Sequence, residues 1–132
     1  MTPYRYEKTI FIGVLTTPDR LSRRALIRAT YLQNTPTNIR LAFIFCQPQT
    51  PAMSTLAYLE NQAFSDIVIL DCQENMNDGK TYTYFSSLPN LLGRSTYDYI
   101  VKTDDDTYLN LPNLSNKLQG FPLRGTDDDA HE

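Results

Sequence analysis

Four stretches of the chain are apolar without alternation: residues 9–16, 41–46 and 66–72, and a shorter run at Tyr97–Val101. Continuous apolar runs of this length, rich in β-branched and aromatic residues, predict strands buried on both faces. A helix-spaced stretch follows each. Thr17-Pro18-Asp19 offers a capping hydroxyl, a proline and an acid, which predicts a helix over 19–32. Its expected buried stripe is Leu21, Ala25, Ala29 and Leu32, widened by Leu26 and Ile27. A second helix is predicted over 53–63, with Met53, Leu56, Ala57, Leu59 and Ala63 inward. A third is predicted over 80–92 with Tyr82, Phe85, Leu88 and Leu92 inward, kinked or shortened by Pro89. Asn110 and Pro112 open a last helix that turns Leu111, Leu114 and Leu118 inward and stops at Gly120.

The order β-α-β-α-β-α-β-α with unbroken apolar strands predicts an α/β fold: a Rossmann-like, mostly parallel sheet covered by helices on both faces. Ligands of such sheets bind beyond the C-terminal ends of the strands. Thr16-Thr17, Cys46-Gln47, Asp71-Cys72 and Asp104-Asp105-Asp106 all fall at that edge.

A length of 132 residues suits one domain, with 41% hydrophobic and 20% charged residues. We expect an arm over 1–8, the α/β domain over 9–120 and an acidic tail over 121–132. Net charge of −3 and a pI near 5.1 argue against nucleic-acid binding. No apolar run is long enough to span a membrane, and no signal-peptide core opens the chain, so the sequence as given is expected to be soluble. Cys46 and Cys72 each close a predicted strand and are expected as buried free thiols. Asn113-Leu114-Ser115 is a formal glycosylation sequon inside an expected helix.

The candidate chemistry sits where the fourth strand runs into Asp104, Asp105 and Asp106. Carboxylates this close repel unless they face water or a cation. In extended chain Asp104 and Asp106 share one side and Asp105 faces the other. Two carboxylates at a strand mouth suit a hard divalent cation, Mn²⁺ or Mg²⁺, which keeps positions open for phosphates. The plain alternative is a solvated acidic turn. Asp127-Asp128-Asp129 repeat the composition without a strand to feed them and are expected to be tail. The five glycines have neither dinucleotide nor P-loop spacing. Phosphates would therefore be neutralised by metal and by Lys80, Arg20 and Arg23, at the starts of expected helices. The one histidine, His131, lies in the tail, so histidine acid–base chemistry and histidine-rich zinc sites are not expected. An aspartyl phosphatase would carry its nucleophile after the first strand, not the fourth.

Arg23-Arg24-Ala25-Leu26-Ile27-Arg28-Ala29-Thr30-Tyr31 resembles the Arg-Arg-x-x-Ile-Arg-x-Thr-Trp signature of the β-1,3-galactosyltransferase-type enzymes of glycosyltransferase family 31, with Tyr31 replacing Trp. Ser65–Asp71, Lys80-Thr81 and Tyr99–Asp106 are similar to three further motifs of that family, in the same order. The resemblance implies a GT-A-like nucleotide-sugar domain that transfers galactose or N-acetylglucosamine from a UDP-sugar, with inversion, to a glycan or glycoprotein acceptor. By position it implies Asp106 and Asp104 as metal ligands, for Mn²⁺ (or Mg²⁺). It places Thr16, Thr17, Arg20, Arg23, Lys80, Asp104 and Asp105 on the donor side. Golgi membrane location would follow, through an anchor this sequence does not contain. The acceptor site and the catalytic carboxylate base are expected downstream of these residues, so the chain alone is expected to bind donor rather than turn it over. The alternative is an inactive nucleotide-binding or interaction module built on the same fold.

Overall fold

Strand β1 (Ile10–Leu15) lies at the centre of the architecture, with β2 (Ile39–Gln47) on one side and β4 (Tyr99–Asp104) on the other. The structure is a computed structural model, described here for residues 7–74, 77–92 and 97–120. Strand β3 (Ile67–Gln73) pairs with β2, giving the order β3-β2-β1-β4 with every pairing parallel. The chain leaves β1 toward β2 and β3, then crosses back to place β4 on the opposite flank. That reversal makes the crevice between the C-terminal ends of β1 and β4 a topological switch point.

Side chains alternate across the sheet and feed two cores. Ile10, Ile12, Val14, Leu41, Phe43 and Phe45 face helices α1 (Leu21–Ala29), α2 (Pro51–Phe64) and α4 (Leu111–Gln119). Phe11, Ala42, Ile44 and Leu70 face α3 (Asn77–Leu92) through Tyr84 and Leu88. The α/β class, the parallel sheet and the helices on both faces are as the pattern predicts.

Helix faces differ more. Thr17 and Pro18 do not open α1: the Arg20 amide donates to the Thr17 carbonyl at 3.0 Å, closing a turn with proline at its second position. The helix starts at Leu21 and ends at Ala29, and a 3₁₀ turn over Tyr31–Asn34 follows. Its buried residues are Arg24 and Ile27, continued by Tyr31 of the 3₁₀ turn, while Leu21, Ala25, Leu26 and Ala29, expected inside, are exposed. The cause is electrostatic. Arg24 and Arg28 reach inward to Glu60 on α2, and Arg28 continues to Asp66. The same pairing turns Ala57 and Glu60 of α2 inward and leaves Leu56 and Leu59 exposed, against expectation. On α3 the buried line is Lys80, Tyr84 and Leu88, at i, i+4 and i+8, rather than Tyr82 and Phe85. The helix continues past Pro89 to Leu92. Helix α4 matches its prediction: the Asn110 side chain accepts from the Asn113 amide at 3.0 Å, and Leu111 is fully buried. The sequon lies in this helix with Ser115 buried against Asn38.

One expectation is overturned outright. Cys46 and Cys72 are not free thiols but a disulfide between β2 and β3. The ladder shifts register there, from Phe45 opposite Ile69 to Gln47 opposite Gln73. Three β3 residues thus face Cys46 alone, and this bulge brings Cys72 to within a Cα separation of 4.8 Å. The run Asp127–Asp129 and His131 lie outside the described residues.

Candidate functional site

The ends of β1 and β4 meet in register, Leu15 beside Asp104, and a cleft of about 380 Å³ opens just beyond them. Thr16, Thr17 and Arg20 from the β1–α1 turn form one wall, and Lys80 and Thr81 from the start of α3 form another. Lys102, Asp104, Asp105 and Asp106 from the end of β4 complete it. Of the residues singled out from the sequence, the fold gathers seven around this cleft. Arg23 is exposed on α1 and does not line it.

The three aspartates have different surroundings. The Thr107 amide donates to the Asp104 carbonyl at 3.3 Å, so the run turns over as the strand ends. That turn drives Asp105 inward. Its Oδ2 accepts from Thr16 Oγ1 at 2.7 Å and from Arg20 Nε at 2.7 Å, and its Oδ1 accepts from Arg20 Nη2 at 3.1 Å. Burial works to raise the Asp105 carboxyl, but hydrogen bonds from Arg20 and Thr16 outweigh it and hold it below the usual carboxylate range. Asp105 is thereby a cross-link between β4 and the β1–α1 turn. Asp104 and Asp106 are exposed, with Lys102 Nζ at 3.5 Å from Asp104.

Lys80 is buried and already paired. Its Nζ donates to the Thr16 carbonyl at 2.5 Å and to Glu74 Oε1 at 3.0 Å. Glu74 in turn accepts from the Cys46 amide at 2.6 Å. The cleft floor is therefore tied, through Lys80 and Glu74, to the strand end that carries the disulfide. Behind Asp105, Tyr31 is buried at 3% exposure, and its hydroxyl has no hydrogen-bond partner among the described residues. Burial, and then the Asp105 charge, push that phenol up to about 12.

Among the described residues no group of three or more histidine, cysteine, aspartate or glutamate side chains is placed to hold a metal. The available donor set is two exposed carboxylates, Asp104 and Asp106, at the mouth of a cleft that also carries cations. Such a set fits a hard cation that completes its sphere with water and phosphate oxygens, rather than one caged by protein. Sequence reasoning missed Lys102 and Glu74. Lys102 was visible as the residue two before Asp104 on the same strand, hence on the same face. Glu74 carried no signal, because its partners are a backbone amide and a lysine across a loop.

The sequence matches the family described as Galactosyltransferase over residues 22–128. It is similar to the beta-1,3-galactosyltransferase pvg3 of Schizosaccharomyces pombe, 23% identical over 163 aligned positions that cover 83% of this chain and 43% of that protein. It is also similar to the probable beta-1,3-galactosyltransferase 12 of Arabidopsis thaliana, 30% identical over 119 positions, covering 82% of this chain and 31% of that protein. The chain thus spans less than half the length of the curated relatives it matches.

Proposed function

The chain belongs to the galactosyltransferase family, and from that membership we propose that its cleft binds the nucleoside diphosphate of a UDP-hexose donor, with a divalent cation, as part of an inverting sugar transferase. The observation that carries this reading is the convergence of Thr16, Thr17, Arg20, Lys80 and the Asp104–Asp106 turn on one cleft at the switch point.

Asp106 and Asp104 would hold the cation, Mn²⁺ or Mg²⁺. When bound, that ion supplies stabilisation of the charge that builds on the leaving phosphate oxygen. This chain's own cations divide the remaining task. Arg20 gives Nε and Nη2 to Asp105, which fixes its plane, and its outer edge is left for a phosphate oxygen. Lys80 holds the Thr16 carbonyl and so sets the cleft wall, rather than offering a free charge. Lys102 is a cation beside the exposed Asp104, on the lining of the same cleft, placed to meet phosphate negative charge there. With Lys80 and Arg20 committed to Glu74 and Asp105, diphosphate binding should depend strongly on the metal.

The acceptor would be a glycan or glycoprotein, and an inverting transfer would also need a base to deprotonate its hydroxyl, a role we assign to no residue of this cleft. The Cys46–Cys72 disulfide supports an oxidising compartment such as the Golgi lumen. Among the described residues no helix is long and apolar enough to cross a membrane.

Calorimetry with UDP tests the reading. The natural chain should bind UDP with Mn²⁺ present, and binding should weaken by at least about tenfold without it or in Asp106→Ala. Equal UDP affinity in all three conditions would refute it.

A further inference from the structure

We propose that Arg24 is a positioning residue for the donor cleft: its buried guanidinium fixes the Thr17-Pro18 turn that forms the cleft wall. This inference rests on the proposed donor-binding reading and deepens it. The residue is 1% exposed, although it sits in a run of arginines that, read as sequence, belongs to a solvated helix face.

Its contacts divide into two sets. Nε and Nη2 form a fork onto both oxygens of Glu60, at 2.6 and 2.8 Å. Nη1 donates to the Thr17 carbonyl at 2.6 Å, and Nη2 also donates to the Pro18 carbonyl at 2.9 Å. The guanidinium lies 4.8 Å over the Phe45 ring, so its plane is set by stacking as well as by hydrogen bonds. Thr17 lines the main cleft, and Thr17 and Pro18 both line a neighbouring hollow of about 180 Å³. The turn is thus a partition with open space on two sides, and such a partition holds its place only if something behind it does. A proline removes one backbone donor there. Of the carbonyls that can anchor the turn, Arg24 takes two in succession.

Arg28 supplies an internal comparison. It also pairs with Glu60, at 2.8 Å, forks onto Asp66 and stacks over Phe43 at 4.9 Å. Its guanidinium hydrogen bonds go to Glu60 and Asp66, not to the turn. A merely fold-stabilising role for the pair would make the two arginines equivalent. A positioning role makes them different.

The test compares Arg24→Lys with Arg28→Lys in the full chain. Lysine keeps the charge but cannot grip Glu60 and two carbonyls at once. By calorimetry with UDP and Mn²⁺, Arg24→Lys should bind about tenfold or more weakly, and Arg28→Lys within about twofold of the natural chain, whatever their thermal midpoints. Equal losses in both, or no loss in Arg24→Lys, would overturn the proposal. If Arg24→Lys does not fold, Arg24→Gln with Glu60→Gln removes both buried charges together and still deletes the grip on the turn. If the natural chain binds no UDP, the donor reading fails by itself. Hydrogen exchange of the Arg20 amide, which closes the turn, then decides the rest: faster exchange in Arg24→Lys only supports the positioning role, and unchanged exchange refutes it.

Discussion

Gly13→Ala should be among the most damaging single-methyl additions this chain can receive. Gly13 lies in the middle of β1, the strand paired on both sides, and faces α3. A Cβ built there would come within 2.5 Å of Cζ and Oη of Tyr84, a separation real Cβ atoms do not tolerate. The ring has nowhere to go. Tyr84 is fully buried, and its Oη donates to the Val101 carbonyl at 2.6 Å. Overpacking of a close-packed core costs about 1–3 kcal/mol, and loss of the phenol hydrogen bond adds about 1 kcal/mol. The sum, roughly 2–4 kcal/mol, is a large share of a domain stability of about 5–15 kcal/mol. Urea unfolding followed by circular dichroism measures it. A companion variant isolates the cause: Tyr84→Leu is destabilising alone, but combined with Gly13→Ala the two costs should fall short of additive by about 1 kcal/mol or more. Lys80 sits one helical turn before Tyr84, so a displaced α3 should also loosen the Lys80–Thr16 contact and weaken nucleotide binding. A Gly13→Ala midpoint within about 0.5 kcal/mol of the natural chain, or strict additivity with Tyr84→Leu, would refute the reasoning.

Three further outcomes are expected. The disulfide closes a loop with a sequence separation of 26, worth about 3.5 kcal/mol on the chain-entropy account, so reductant should lower the urea midpoint; an unchanged midpoint with both thiols titratable refutes this. Asp105 and Glu60 are both held below the usual carboxylate range, by Arg20 and Thr16 and by Arg24 and Arg28 respectively, in each case against the opposing effect of burial. Groups depressed on folding contribute fully above their unfolded values, near about 4, and lose that contribution as pH falls through the folded values. Thermal midpoints should therefore drop below about pH 4, and Asp105→Asn should show a shallower drop than the natural chain. Tyr31→Phe removes a buried hydroxyl that has no partner among the described residues and should be neutral or stabilising by up to about 1 kcal/mol; a loss of more than about 1 kcal/mol would mean that the hydroxyl is bonded in solution.

The strands were legible because burial on both faces leaves a mark that needs no partner to read: residues 10–15 and 39–47 are apolar almost throughout. The cleft was legible for a related reason. Parallel topology sends every strand's end to one edge, so residues that follow a strand meet whatever the helices do. The helix faces were not legible. A pattern of apolar spacing assumes that apolar residues choose the inward side, and here Arg24, Arg28 and Glu60 chose it for both α1 and α2. Only the pairing, 36 residues apart in sequence, makes that arrangement affordable. The disulfide was hidden by the same kind of nonlocal fact: a register shift between β2 and β3 brings together two cysteines that a regular ladder would hold apart. The central aspartate differs from its neighbours in being buried, but the turn that ends β4, not strand alternation, puts it there, and its engagement by Arg20 and Thr16 depends on the turn after β1.

Thr16 and Asp105 are 89 positions apart, and their contact joins the first strand of the sheet to the last. During synthesis β1, β2 and β3 can pair as they emerge, each through a local crossover, while one flank of β1 stays bare. Thr16, Thr17, Arg20 and Lys80 all precede β4 in the chain, but the acidic side of the cleft has no early version. It comes into being in a single late event, when β4 docks and its acidic turn is captured, and folding followed by a nucleotide analogue should lag behind folding followed by helix content.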